Sequence, residues 1–162
     1  DDQPVPVVGI DRPTIERDIK ALGDKDFVVI DGAPQAGDLA VSAIKSAHIV
    51  LIPVQPSPYD IWATADLVEL VKSRIEITDG KLQAAFVVSR AIKGTKIGGE
   101  IDEALNGYGL PVLETRITQR VSYPSTAAKG TTVPDAEPDS DAAIECRALA
   151  KAVQAPLRYV FE

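Results

Sequence analysis

The sequence has little cysteine, little positive charge and no long apolar segment. Its single cysteine, Cys146, excludes a disulfide framework and is typical of a reducing compartment. A formal charge of −7 argues against a generally basic nucleic-acid binder, although a local basic patch remains open. The apolar runs are far shorter than the roughly 18 residues that span a membrane, and the acidic start lacks a secretory signal pattern. We therefore expect a cytoplasmic protein with no membrane partner.

Short apolar runs alternate with helical patterns along the 162 residues, which suffice for one domain covering residues 1–162. The patterns predict strands at residues 5–9, 27–31, 48–54, 81–90 and 110–117, and helices at residues 13–22, 37–47, 58–75, 98–106 and 139–160, the last bent at Pro156. Helix-length connections make successive strands parallel. We expect an α/β fold with a doubly wound, mainly parallel sheet and helices on both faces.

Asp31 follows the apolar run FVVI and precedes a glycine. If this run is a strand of a parallel sheet, Asp31 lies at the carboxyl edge where open α/β sheets bind ligands. A carboxylate there is typical of the Walker B acid that orders the water around Mg²⁺ in P-loop NTPases. The alternative is an ordinary turn residue, because Asp and Gly are common at strand ends.

A proline-rich segment follows the third predicted strand and begins the longest predicted helix. Ser57 is placed at the N-cap, Pro58 at the first helical position and Asp60 at the third, which predicts a capping box. This local role explains Ser57 and Asp60 without any binding function.

The order of these motifs resembles that of ParA-type partition ATPases, the deviant-Walker branch of the P-loop NTPases. The similar segments are 24–27 (DKDF) with 31–34 (DGAP), 52–60 (IPVQPSPYD), and 117–120 (ITQR) followed by Gly130. The resemblance covers nearly the whole chain. It implies a P-loop NTPase-like fold, with ATP and Mg²⁺ as cofactors of the intact protein.

One motif of the family is missing from the sequence. No G-x-x-x-x-G-K-[ST] phosphate loop occurs in the 162 residues, and the family's corresponding strand and loop precede the point that matches Asp1. Without this loop no backbone cradle or lysine neutralises the phosphates, so the chain itself should bind ATP poorly. We expect a fragment that corresponds to the C-terminal three-quarters of the family's fold.

The resemblance implies roles for particular residues. Asp31 would hold Mg²⁺ through water and act in catalysis. The residues implied in nucleotide binding are Gly32, Ala33, Pro34, Ser89, Arg90 and Thr118. Ser57 and Asp60 are the candidates for a dimer interface. The intact protein would form a nucleotide-dependent homodimer, bind nonspecific DNA, associate with the nucleoid in its ATP-bound state and respond to a centromere-binding, ParB-like partner.

Basic residues are concentrated between positions 90 and 130, where the sequence contains six basic residues and four acidic ones. Arg116, Arg120 and Lys129 are the candidate DNA-binding residues in this region, because nonspecific phosphate contacts require a local positive patch. The alternative is that these are solvated surface charges.

Two other classes of function were compared with the partition ATPase. A phosphoacceptor domain needs an acidic pair at its first strand, whereas Asp1 and Asp2 precede every predicted strand. A non-enzymatic interaction module on a ParA-like scaffold stays open as the second candidate. The missing strand would also leave neighbouring strand edges uncovered, so we expect the chain alone to be marginally stable or self-associating.

Overall fold

The apolar run at residues 84–88 forms the centre of the sheet. In the computed structural model, which describes residues 5–32, 37–92 and 97–154, this run lies within strand β2 (Gln83–Ala91). Its five residues are at most 4% exposed, because elements cover both faces of the strand. Strand β1 (Ile49–Val54) pairs parallel with one edge of β2, and β3 (Ile117–Thr118) pairs parallel with the other. The predicted α/β class with a parallel sheet is confirmed.

Helices connect and flank these strands. They are α1 (Ile15–Lys20), α2 (Asp38–Ser46), α3 (Pro58–Ala63), α4 (Ala65–Ile77), α5 (Ile97–Asn106), α6 (Ser122–Ala127), α7 (Val133–Ala136) and α8 (Asp141–Gln154). None of the helices in the described ranges is long and apolar enough to cross a bilayer.

The main core packs helices α2 to α5 against the sheet. Val68 and Val71 of α4 and Leu105 of α5 are fully buried and belong to the same apolar cluster as Phe86 of β2. A second cluster joins α7 to α8 through Val133, Ala142 and Ala143. Full burial of a side chain as large as Phe86 stabilises the fold by about 1.5–3 kcal/mol.

Two of the strand predictions are wrong. Residues 5–9 and 27–31 form no ladder within the described chain, and their apolar side chains face solvent: Val7 is 81% exposed and Val29 is 93% exposed. An apolar run predicts that a segment can be buried, but a strand also needs a hydrogen-bonded neighbour. Neither segment has such a neighbour here, and β1 is an edge strand among the described residues.

Three further elements differ from the prediction in extent. The helix predicted at 58–75 is divided at Thr64, which separates α3 from α4. The strand predicted at 110–117 is reduced to β3 and an isolated bridge between Phe86 and Val112. The C-terminal helix is described to Gln154, and the predicted bend at Pro156 lies outside the described residues.

The exposed valines of the two irregular segments make self-association testable. We expect the chain to bind a hydrophobic dye and to associate reversibly, because apolar surface of this kind is normally covered. Changing Val7→Ser together with Val29→Ser should reduce both effects, as measured by dye fluorescence and sedimentation velocity. Val121→Ser is the matched control, since Val121 is also 81% exposed but lies elsewhere. A monomeric parent with low dye binding would contradict the expectation.

Candidate functional site

The carboxyl ends of β2 and β3 open into a shallow cleft. Its volume is about 640 Å³, and it is lined by Ala91, Ile92, Thr118, Gln119, Arg120, Val121 and Pro124. Parallel strands present their carboxyl ends at one edge of the sheet, which is where α/β folds bind ligands. The cleft therefore includes Thr118, one of the residues predicted to bind nucleotide.

The end of β2 is irregular at Arg90. This residue has φ +52°, in the left-handed region that side chains with a Cβ rarely adopt, and the pairing of β2 with β3 shifts register between Ser89 and Ala91. Ser89 donates a hydrogen bond from Oγ to the Val54 carbonyl at 3.4 Å. Ser89 and Arg90 lie near the carboxyl end of β2, and the left-handed backbone at Arg90 costs about 1–2 kcal/mol.

Beside the cleft, Glu145 of α8 holds the end of β3. Its carboxylate accepts hydrogen bonds from Thr118 N at 3.0 Å and from Thr118 Oγ1 at 2.8 Å. The guanidinium of Arg120 donates to the same carboxylate at 3.0 Å and to Asp141 at 3.3 Å. Arg120 Nε is buried and has no hydrogen-bond partner among the described residues. This cluster connects α8 to the segment that lines the cleft.

The electrostatics of the cluster follow from these contacts. Burial raises the pKa of Glu145, but the hydrogen bonds from Thr118 and Arg120 outweigh burial and hold this pKa below its usual value. The hydrogen bond to Glu145 raises the pKa of Arg120. Burial, with the neighbouring Cys146, raises the pKa of Tyr123. Glu145 and Arg120 are therefore both charged at neutral pH.

Sequence reasoning did not identify Glu145 or Asp141 as partners of Arg120. The sequence does contain a signal for this pair: Asp141 and Glu145 are four residues apart, and residues four apart on a helix lie on the same face. Both carboxylates of α8 reach the same guanidinium.

Asp31 and Gly32 are both exposed. The Asp31 side chain makes no ion pair or hydrogen bond with the described part of the chain. Ala33 and Pro34, which were also predicted to bind nucleotide, lie outside the described residues. The described segments contain no group of three His, Cys, Asp or Glu side chains that could hold a metal ion. The described residues, in a sequence that has no phosphate-loop motif, do not form a complete site for Mg²⁺ and a nucleoside triphosphate.

The candidate DNA-binding residues have different surroundings. Arg116 is paired with Asp102, and Arg120 with the two carboxylates of α8, whereas Lys129 is exposed. Lys129 takes part in no ion pair among the residues described. The positive charge of the two arginines is thus offset locally by acids.

At the start of α3, Ser57 is the N-cap residue, as predicted, and Pro58 follows it. The predicted capping box is wrong, because the Ser57 side chain makes no capping hydrogen bond. Pro58 lacks an N–H group, so the first turn has one donor fewer to satisfy. The Ser57 carbonyl accepts the first helical hydrogen bond, from Ile61 N at 3.1 Å.

Comparison with known proteins gives the family. No protein-family model matches the chain. The chain is 31% identical over 135 residues to the maintenance of carboxysome distribution protein A of Halothiobacillus neapolitanus, covering 82% of this chain and 62% of that protein. It is 30% identical over 103 residues to the protein ParA of Rhizobium radiobacter, covering 62% of this chain and 46% of that protein.

The solved structure of the cell division ATPase MinD from Pyrococcus furiosus has the same fold. The TM-score is 0.68 at 22% sequence identity, over 88% of this chain and 58% of that chain. The fold is thus that of a P-loop NTPase. With the two curated relatives, the chain belongs to the ParA-type family of P-loop ATPases. It spans about half to three-fifths of the length of those relatives.

The hydrogen bonds of Glu145 make its structural role testable. Glu145→Gln should lower the free energy of unfolding by about 1–2 kcal/mol at neutral pH, because Arg120 loses a charged partner. Since the pKa of Glu145 is lowered in the folded state, its contribution is present above about pH 4.3, the usual value for Glu, and is lost as the pH falls through the folded pKa. Denaturant unfolding of both proteins at pH 7 and under acid conditions measures this difference.

The matched control is Glu137→Gln, since Glu137 is exposed and its side chain makes no ion pair within the described chain. Equal stabilities for the two variants at neutral pH, or an unchanged acid response in Glu145→Gln, would show that the cluster contributes nothing to the fold.

Proposed function

We propose that this chain is part of a ParA-type ATPase that partitions or positions a cargo inside the cell. The single observation that carries the proposal is its likeness, over 135 residues, to a protein named for carboxysome distribution. The likeness to a ParA protein supports the same type of activity. The cargo is therefore DNA or another large assembly, and the protein works in the cytoplasm, associated with the nucleoid when it holds ATP.

The cleft at the strand ends is the proposed site of the adenine base. Ile92, Val121 and Pro124 provide apolar walls for a flat ring, while Ser89, Arg90 and Thr118 lie at the strand ends. The remaining proposed nucleotide residues, Gly32, Ala33 and Pro34, would respond to the terminal phosphate beside Asp31. A bound Mg²⁺ would supply the charge stabilisation of phosphoryl transfer.

ATP binding in the intact protein is proposed to drive homodimer formation, with Ser57 and Asp60 near the interface. The dimer would bind DNA without sequence preference, and a centromere-binding, ParB-like partner would promote its release. The alternative function is a non-enzymatic interaction module. The chain spans about half to three-fifths of the length of its curated relatives, so the 162 residues leave this alternative open.

ATP binding and turnover distinguish the two functions. The chain as given is compared with a longer version to which a segment with the G-x-x-x-x-G-K-[ST] motif has been added at the N-terminus. Binding and slow hydrolysis by the longer version, with little by the chain alone, support the ATPase. A correctly folded longer version that binds no ATP supports the interaction module.

The proposed role of Asp31 gives a sharper test in the longer version. Asp31→Ala should abolish hydrolysis and leave much of the nucleotide affinity, because the acid orders metal-bound water and does not contact phosphate. Calorimetry with ATP and a phosphate-release assay measure the two effects separately. Asp24→Ala is the control, since Asp24 is an exposed acid of the same segment. Unchanged turnover in Asp31→Ala would refute the assignment.

DNA binding is tested by removing the basic side chains separately. In the longer version, Lys129→Ala should weaken binding equally for all DNA sequences and reduce the salt dependence by about one unit of slope. Arg116→Ala with Arg120→Ala should weaken binding in the same way and reduce the slope by about two units, one per lost contact, if these residues exchange their carboxylate partners for phosphates. Fluorescence anisotropy at several salt concentrations measures both. Lys45→Ala, on α2, is the control.

If neither variant differs from its parent at any salt concentration, these residues are ordinary surface charges. Unfolding of the arginine variant must be measured in parallel, because Arg120 also contributes to the cluster with Glu145.

A further inference from the structure

An exposed pair of aromatic side chains lies on α3. Tyr59 is 78% exposed and Trp62 is 65% exposed, and their rings meet edge to face with centroids 5.6 Å apart. Neither ring belongs to the apolar core. Large aromatic side chains left in solvent as a pair are typical of binding surfaces, where such residues provide most of the contact energy.

The helix that carries this pair is firmly anchored on its other side. Ile61 is 3% exposed, and Val68 of α4 is fully buried in the same cluster. The Tyr108 hydroxyl donates a hydrogen bond to the Ile61 carbonyl at 3.3 Å, which joins α3 to the turn after α5. The aromatic pair is therefore presented on a fixed support, with both rings exposed among the described residues.

Acidic side chains extend the same face. Asp66 and Glu69 follow Trp62 at spacings of four and seven residues, which places all three on one side of a nearly continuous helix. Asp66 is exposed and has no ion pair in the described ranges, and Glu69 makes only an exposed pair with Lys72 at 3.5 Å. Residues 55–71 contain three carboxylates and no lysine or arginine. We call Tyr59, Trp62, Asp66 and Glu69 the aromatic-acidic face.

We propose that the aromatic-acidic face binds an arginine-bearing segment of a partner protein. A guanidinium stacks on an aromatic ring and pairs with a carboxylate at the same time, so one arginine side chain satisfies both features of this face. The negative charge of this face would repel the phosphates of a nucleic acid. In a symmetric contact between two copies, Asp66 and Glu69 of one copy would lie against the same acidic residues of the other. Repulsion between these carboxylates disfavours self-association through this face.

This surface includes none of the proposed nucleotide- or DNA-binding residues, and Asp60, a candidate for the dimer interface, is not one of its four side chains. The chain as given can therefore be tested, and a failure of ATP binding would not affect the result. Trp62 is the only tryptophan of the sequence, so its fluorescence reports directly on the face.

The experiment titrates the chain with a short peptide of alternating arginine and serine. The arginine peptide should change the Trp62 emission in a saturable, salt-sensitive way, and a lysine–serine peptide should bind more weakly. A glutamate–serine peptide should not bind. Asp66→Asn with Glu69→Gln should weaken binding about three- to tenfold, and Tyr59→Ala about threefold. Asp11→Asn with Asp24→Asn removes two exposed acids elsewhere and should have little effect.

Several outcomes would overturn the proposal. Equal weakening by the two pairs of acid substitutions would mean that only net charge attracts the peptide. Equal affinity for the arginine and glutamate peptides would mean that the contact is merely apolar. A concentration-dependent change of Trp62 emission without peptide, if it persists in the Val7→Ser, Val29→Ser variant, would identify a second copy of the chain as the occupant. Saturable binding of an oligonucleotide at the same face would identify nucleic acid.

Discussion

The parallel pairing of β2 with strands on both its edges is the constraint on which the rest of the structure depends. Ala84 and Ala85 are small and Phe86 is large, and all three are fully buried. Small side chains let helices approach the sheet closely, and Phe86 fills the space between the strand and the helices. The buried strand then fixes where β1 and β3 begin and end, because its backbone groups must be hydrogen-bonded by theirs.

The candidate cleft follows from how this strand ends. The left-handed Arg90 forms a bulge between the pairs Ser89–Ile117 and Ala91–Thr118, and both strands end just after the second pair. Glu145 then holds Thr118 through both its backbone and its hydroxyl. A local backbone strain and a distant helix therefore position the same short segment, which is a common arrangement at binding sites.

Sequence patterns correctly predicted the helices and strands that are buried by, and paired with, other parts of the described chain. The apolar runs of β1 and β2 and the periodic helices α2 and α4 belong to this group. The run at residues 27–31 has an equally apolar pattern, yet Val29 is exposed, because a pattern contains no information about whether a pairing strand is present. The same limit applies to the site: Thr118 was expected from resemblance, whereas Glu145 contacts it across 27 positions in sequence, a contact that only the fold creates.

Charge decides which part of the proposed nucleotide the cleft would accept. Phosphates need unpaired cations or a series of free backbone N–H groups. Arg120, the basic side chain lining the cleft, is already paired with Glu145 and Asp141, and Thr118 N is already hydrogen-bonded to Glu145. A phosphate placed here would compete with these carboxylates and be repelled by them, whereas a neutral ring would be accepted by the apolar walls. The cleft is therefore suited to a base and unsuited to phosphate, so triphosphate binding requires a phosphate-binding loop that the 162 residues do not contain.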